Sequence, residues 1–189
     1  MLPTMTEARF RGLARPHILR CRSGDWRHAL RVVRWVKRLG NGRPDLPLLV
    51  IAGYIHDIGW RDVLPAKKIT FDQLLHYEQR ANKNSEPFIT EFLSDLGFPK
   101  NDIRKVTRLV SAADTHHASR ADEAILTDAD QLSKLSIGHV REKYQVSEWR
   151  RMAAMWQKEF PRRIATDEGK RIWLAEWRKL DRALRREGR

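Results

Sequence analysis

Apolar residues recur along the chain at three- and four-residue steps, and no convincing run of alternating β-branched residues appears. The pattern predicts an all-α fold. His28, Val32, Trp35, Val36 and Leu39 fall on one helical face. Gly40-Asn41-Gly42 closes that helix with residues that tolerate positive φ. Asp45 can cap the next helix, with Pro47 in its first turn, where a missing N–H costs little. From Leu48 to Ile58 this helix is apolar almost all round, which marks it as central and buried, and Gly59 is expected to stop it. Trp60 to Ile69 read as a connecting loop. Thr70 and Gln73 have capping-box spacing and open a helix through His76. Pro87 is expected to break or kink it, with Ser85 recapping the stretch that ends at Leu96-Gly97. Asn101 opens a helix to about Ala113, and a short segment follows around Glu123 to Leu135. Ser147 caps a helix carrying Trp149, Met152 and Trp156; Asp167 caps a last one carrying Trp173, Trp177, Leu180 and Leu184. The four tryptophans read as core or helix-packing residues. With no repeat and no low-complexity linker, the pattern predicts one domain, a core over about 23–140 with a C-terminal helical extension over about 147–187.

The length of 189 residues suffices for one domain with a sizeable core. No apolar run approaches the roughly 20 residues needed to cross a bilayer. The start, Met1-Leu2-Pro3-Thr4, lacks the charged and apolar regions of a signal peptide, and Cys21 is alone, so a reducing, cytoplasmic setting is expected. The formal charge of +13 favours anionic partners: phosphorylated small molecules, nucleic acid or a membrane surface. Much of the excess lies near the two ends. Arginines from Arg162 to Arg189 are interleaved with Asp167, Glu168, Glu176, Asp181 and Glu187, which suits a solvated helix with internal ion pairs. Any nucleic-acid binding is therefore expected to be weak and non-specific.

The chemistry concentrates at His56-Asp57. An imidazole and a carboxylate end the most apolar helix, where burial without partners would cost several kcal/mol. At a helix end both can lean around one metal ion; the dipeptide could equally cap the buried terminus. His28, on the apolar face of the preceding helix, needs a partner of its own. Asp128 and Asp130 follow the apolar Ile125-Leu126.

In that order, His28, then His56-Asp57 within Leu48–Gly59, then Thr127-Asp-Ala-Asp-Gln-Leu132, the sequence resembles the HD-domain phosphohydrolase superfamily, whose pattern is H…HD…D. The resemblance spans roughly His28 to Ile137. It implies a metal held by His28, His56, Asp57 and Asp130, with Asp128 as a supporting or alternative ligand. His76-Tyr77-Glu78 resembles the helix after the dipeptide in many members, and Asp114-Thr115-His116-His117 lies where some members supply further histidines. A second metal on His76, His116 and His117 is thus possible, although the spacing differs from the best-known dinuclear subfamily and its G-Y-P signature is absent. His17 and His139 read as structural.

The implied activity is metal-assisted hydrolysis of a phosphate ester of a nucleotide-like or other small phosphorylated substrate. The ion acidifies water and polarises a phosphoryl oxygen. Asp57 holds it and accepts a proton, His76 protonates the leaving oxygen, and Lys67 and Lys68 neutralise phosphate. Mixed nitrogen and oxygen ligands suit a divalent transition metal (Mn, Fe, Co or Ni), with Mg as a possible working ion. The alternative is a non-catalytic or regulatory nucleic-acid- or nucleotide-binding protein on the same scaffold.

Overall fold

The computed structural model describes residues 5–64 and 70–187. Lys67 and Lys68, expected near the phosphate, lie outside them. Among the described residues the chain is all-helical: α1 (Glu7–Leu19), α2 (Asp25–Leu39), α3 (Leu46–Ile55), α4 (Phe71–Asp95), α5 (Lys100–Asp114), α6 (Ala121–Lys134), α7 (Ile137–Lys143), α8 (Trp149–Arg163) and α9 (Asp167–Glu187). None of these helices is long and apolar enough to cross a membrane.

Two helices organise the rest. Every residue of α3 from Leu48 to Ile55 is buried, as its unbroken apolar sequence requires. The second, α6, is buried from Asp122 to Ser133 although more than half its residues are polar. Its Ile125, Leu126 and Ala129 join the apolar residues of α1 to α5 in one core. Leu132 joins Val140, Trp149, Met152, Trp156 and Phe160 in a second core under α8 and α9. Trp35, Leu39 and Leu74 pack against both cores and join them. Trp173 and Trp177 stack nearly parallel, 6.1 Å apart, on the second.

Several local expectations need correction. Helix α3 ends at Ile55, before the His-Asp pair, and a 3-10 turn spans Ile58–Trp60. Gly59 is there for close packing: a Cβ would sit 2.2 Å from the Ala81 carbonyl oxygen and 2.5 Å from Ser85 Oγ. The Asp45 side chain makes no cap and instead accepts from Arg43 and Lys105. The Thr70–Gln73 capping box forms as expected. Pro87 does not break α4, whose 25 residues run through it; burial of Ala81, Ile89, Phe92 and Leu93 outweighs the lost N–H, a cost of about 3 kcal/mol. Ser85 makes no new cap, because its hydroxyl turns back to Ala81 and across to Asp114. The segment at 123–135 is a full helix. Ser147 lies in a 3-10 turn before α8, and Thr166 rather than Asp167 caps α9, its Oγ1 accepting the Gly169 N–H at 2.9 Å.

Candidate metal centre

Three elements bring four side chains together. The buried face of α2 carries His28, the turn after α3 carries His56 and Asp57, and α6 carries Asp130; all four are less than one-tenth exposed. His56 Nε2 lies 3.0 Å from His28 Nε2. Asp57 Oδ2 is 3.5 Å from the first nitrogen and 3.6 Å from the second. Asp130 Oδ1 is 3.7 and 3.1 Å from the same two atoms.

Hydrogen bonds on the far side of each ring set the protons. His56 Nδ1 faces the Gly53 carbonyl at 3.0 Å, which can only accept, so Nδ1 carries the hydrogen. His28 Nδ1 faces Ser133 Oγ at 2.9 Å, and that hydroxyl donates its own proton to the Asp130 carbonyl at 2.8 Å. His28 Nδ1 is therefore also the donor. Both Nε2 atoms then present lone pairs to each other across 3.0 Å, an arrangement that is repulsive unless a cation lies beside them. Asp57 Oδ2, buried and without a hydrogen-bond partner, faces the same point. Burial lowers the His28 pKa to about 4, keeping the ring neutral as ligation demands. Burial works to raise the two carboxylates, but the Arg22 guanidinium outweighs it at Asp57 and the Lys134 ammonium at Asp130, so both stay ionised. Arg22, 2.6 Å from Asp57 Oδ1 and seated over the Trp60 ring, fixes that carboxylate. His28, His56 and Asp57 meet the geometry of an ion-holding group.

The centre borders a 140 Å³ cavity lined by Arg22, Lys134, Lys143 and Arg163 among its charged residues and by Trp60, Tyr144, Trp156 and Phe160. A larger apolar cavity, 460 Å³, lies by Pro47 at the other end of α3 and holds no ligand set.

Other sequence-marked residues lie elsewhere. His76 is exposed, because α4 turns Phe71, Leu75, Glu78 and Asn82 to the cavity and leaves His76 on its outer side. His117 is exposed too; only His116 of the proposed second set lines the cavity. The three are not brought together, and the described residues contain no second ion-holding cluster. His17 accepts from Arg61 at 3.1 Å and rests on Phe92.

Asp128 is not placed as a ligand. Consecutive helical residues turn by about 100°, so two positions apart it faces nearly opposite to Asp130. There it accepts the N–H groups of Ala165 and Thr166, both at 2.8 Å, and the Thr166 hydroxyl, clasping the start of α9. Gly169 makes room, since a Cβ would come 2.5 Å from Asp128 Oδ2. Asp128→Ala is expected to destabilise the fold by about 2–3 kcal/mol in chemical unfolding, with metal content unchanged. Loss of metal with full stability would instead make Asp128 a ligand.

Two residues assigned no chemical role from the sequence line the cavity. One is His139, expected to be structural only. The other is Asp114, which accepts from Ser85 Oγ at 2.8 Å. Burial, helped by the nearby Asp57 and Asp130 charges, pushes the Asp114 carboxyl up to about 8. Native chain thus keeps a proton that unfolded chain loses above its ordinary value of 3.8. A raised acid lowers stability as pH climbs between those two values. Asp114→Asn needs no proton, so in chelator the variant should gain on wild type by on the order of 1–4 kcal/mol from pH 5 to pH 8.5. A pH-independent difference would show Asp114 ionised throughout.

Comparison with protein-family models, curated proteins and solved structures finds no match to this chain.

Proposed function

We propose that the chain is a metal-dependent phosphohydrolase of the HD type, acting on a small phosphorylated, nucleotide-like substrate. One observation carries this reading. Two buried imidazole nitrogens present lone pairs to each other beside a buried carboxylate oxygen that accepts no hydrogen bond, and the centre borders a cavity that Arg22, Lys134 and Arg163 also line. Neutral nitrogens and carboxylate oxygens in that number suit Mn, Fe, Co or Ni, with Mg as a possible working ion. His28, His56, Asp57 and Asp130 would hold it. Such an ion supplies Lewis acidity, acidifying water and polarising a phosphoryl oxygen.

The chain's own groups supply the rest. Arg163 lines the cavity without an ion pair among the described residues, so its charge is free for the substrate's phosphate. Asp57 would accept a proton from the attacking water. Asp114 takes the acid role expected of His76, because it holds a proton near neutral pH and His76 faces solvent. Tyr144, Trp156 and Phe160 offer apolar faces to the non-phosphate part of the substrate.

The binder reading draws on the +13 charge. Yet Asp167, Glu168, Glu176, Asp181 and Glu187 each pair with a basic side chain, which breaks α9 as a continuous phosphate track. The deciding experiment is elemental analysis of protein purified without chelator, followed by phosphatase and phosphodiesterase substrate panels with Mn, Co, Ni and Mg. About one ion per chain and release of phosphate from at least one substrate are expected. Absence of both overturns the reading.

A further inference from the structure

His139 is the third residue of α7, where Ser136 Oγ accepts its backbone N–H at 3.2 Å. Its ring is 1% exposed, edge-on to His28 with centroids 4.9 Å apart, and 5.9 Å from Trp156. Arg31 approaches His139 Nδ1 at 3.2 Å and is itself held by Glu142 at 3.1 Å. A guanidinium only donates, so Nδ1 is the acceptor and the neutral ring carries its hydrogen on Nε2. That Nε2 is buried and has no hydrogen-bond partner among the described residues. A buried donor left without an acceptor is destabilising, and a phenylalanine in the same space would avoid that. The ring lines the same cavity as His28, Asp57 and Asp130, and the cations Arg22, Lys134 and Arg163 share that lining. Nε2 itself lacks an acceptor, and the cations that share the cavity favour an anion's oxygen there.

We propose that His139 is a substrate-binding residue whose Nε2–H donates to a phosphoryl oxygen of the ester held at the His28–His56–Asp57–Asp130 centre. The inference rests on the phosphohydrolase reading. Arg31 has a defined part in it. By occupying Nδ1 with a donor it bars a second proton from that nitrogen, so His139 serves as a neutral donor and not as an acid.

The test uses inorganic phosphate as probe, titrated calorimetrically into full-length protein loaded with Mn, with metal content and melting temperature measured in parallel. His139→Phe keeps the packing against His28 and Trp156 and removes the donor. It is expected to weaken phosphate binding by about 10- to 100-fold at unchanged Mn content. His139→Gln returns an N–H and should recover part of the loss. Phosphate affinity within twofold of wild type in His139→Phe overturns the donor role. So does loss of Mn together with phosphate, which would make His139 a prop for His28. Should wild type bind Mn but no phosphate, the His139 role falls while the metal centre stands. Should wild type take up no divalent ion, the hydrolase reading itself fails and this inference with it.

Discussion

Asp57→Asn is expected to leave the chain folded and to reduce both metal uptake and hydrolysis by at least about 100-fold, more than the loss typical of residues that merely support a ligand. The geometry gives the variant a particular signature. An amide can place its oxygen on Arg22, as Oδ1 does now at 2.6 Å. Its NH2 group then falls where Oδ2 lies, 3.5 and 3.6 Å from the two Nε2 atoms. The two lone pairs that face each other would gain a donor in place of a cation. The variant should therefore melt no lower than wild type stripped of metal, and added Mn should no longer raise its melting temperature. Removing an imidazole differs: His56→Ala loses the metal and also leaves a cavity. Wild-type turnover by Asp57→Asn at matched metal content would sink the proposed role of Asp57.

Asp25→Asn should be the most destabilising single change away from the centre. Asp25 is wholly buried, accepts the Arg22 backbone N–H at 2.7 Å and Nε at 3.1 Å, and contacts the buried ammonium of Lys143. Burial and the neighbouring Arg22 drive the Lys143 pKa well down, so its charge depends on the Asp25 carboxylate. Breaking a buried pair from one side strands the other charge and costs about 3–5 kcal/mol. In a chain of this size that lowers the melting temperature by on the order of 10 °C. Replacing both partners, Asp25→Asn with Lys143→Met, removes the stranded charge and should recover most of the loss. Equal destabilisation in the double variant, at unchanged denaturant slope, would show that shape rather than charge is at stake.

What the sequence makes legible follows from periodicity. The buried faces of α2 and α3 can be read from their spacing, and so can the Thr70 capping box, because each is a local property. Helix α1 is harder to see: its buried stripe is only Phe10, Ala14 and Ile18 among exposed arginines. Within α6 the two aspartates two residues apart must face different ways, but spacing alone does not say which turns inward. For His76 the same periodicity, anchored on Phe71 and Glu78, places it outside; the register of α4 against the cavity is what the sequence lacks. Asp114 and His139 were passed over for a common reason. The carboxyl is buried against Ser85, 29 residues away, and the imidazole is set by Arg31, 108 residues away, so neither environment exists until the helices pack.

The chain order of the centre has a consequence for synthesis. His28, His56, Asp57 and Asp130 all precede α8, which brings Met155, Trp156, Phe160 and Arg163 to the cavity wall. A ribosome working from the N-terminus delivers the four proposed ligands before it delivers that wall. Until α8 and α9 emerge, the four side chains remain open to the surrounding solution on that side. The Asp128 clasp can close only when Ala165 and Thr166 arrive. Metal loading can thus precede enclosure, and nascent chains halted before residue 149 should exchange a bound ion faster than the finished protein.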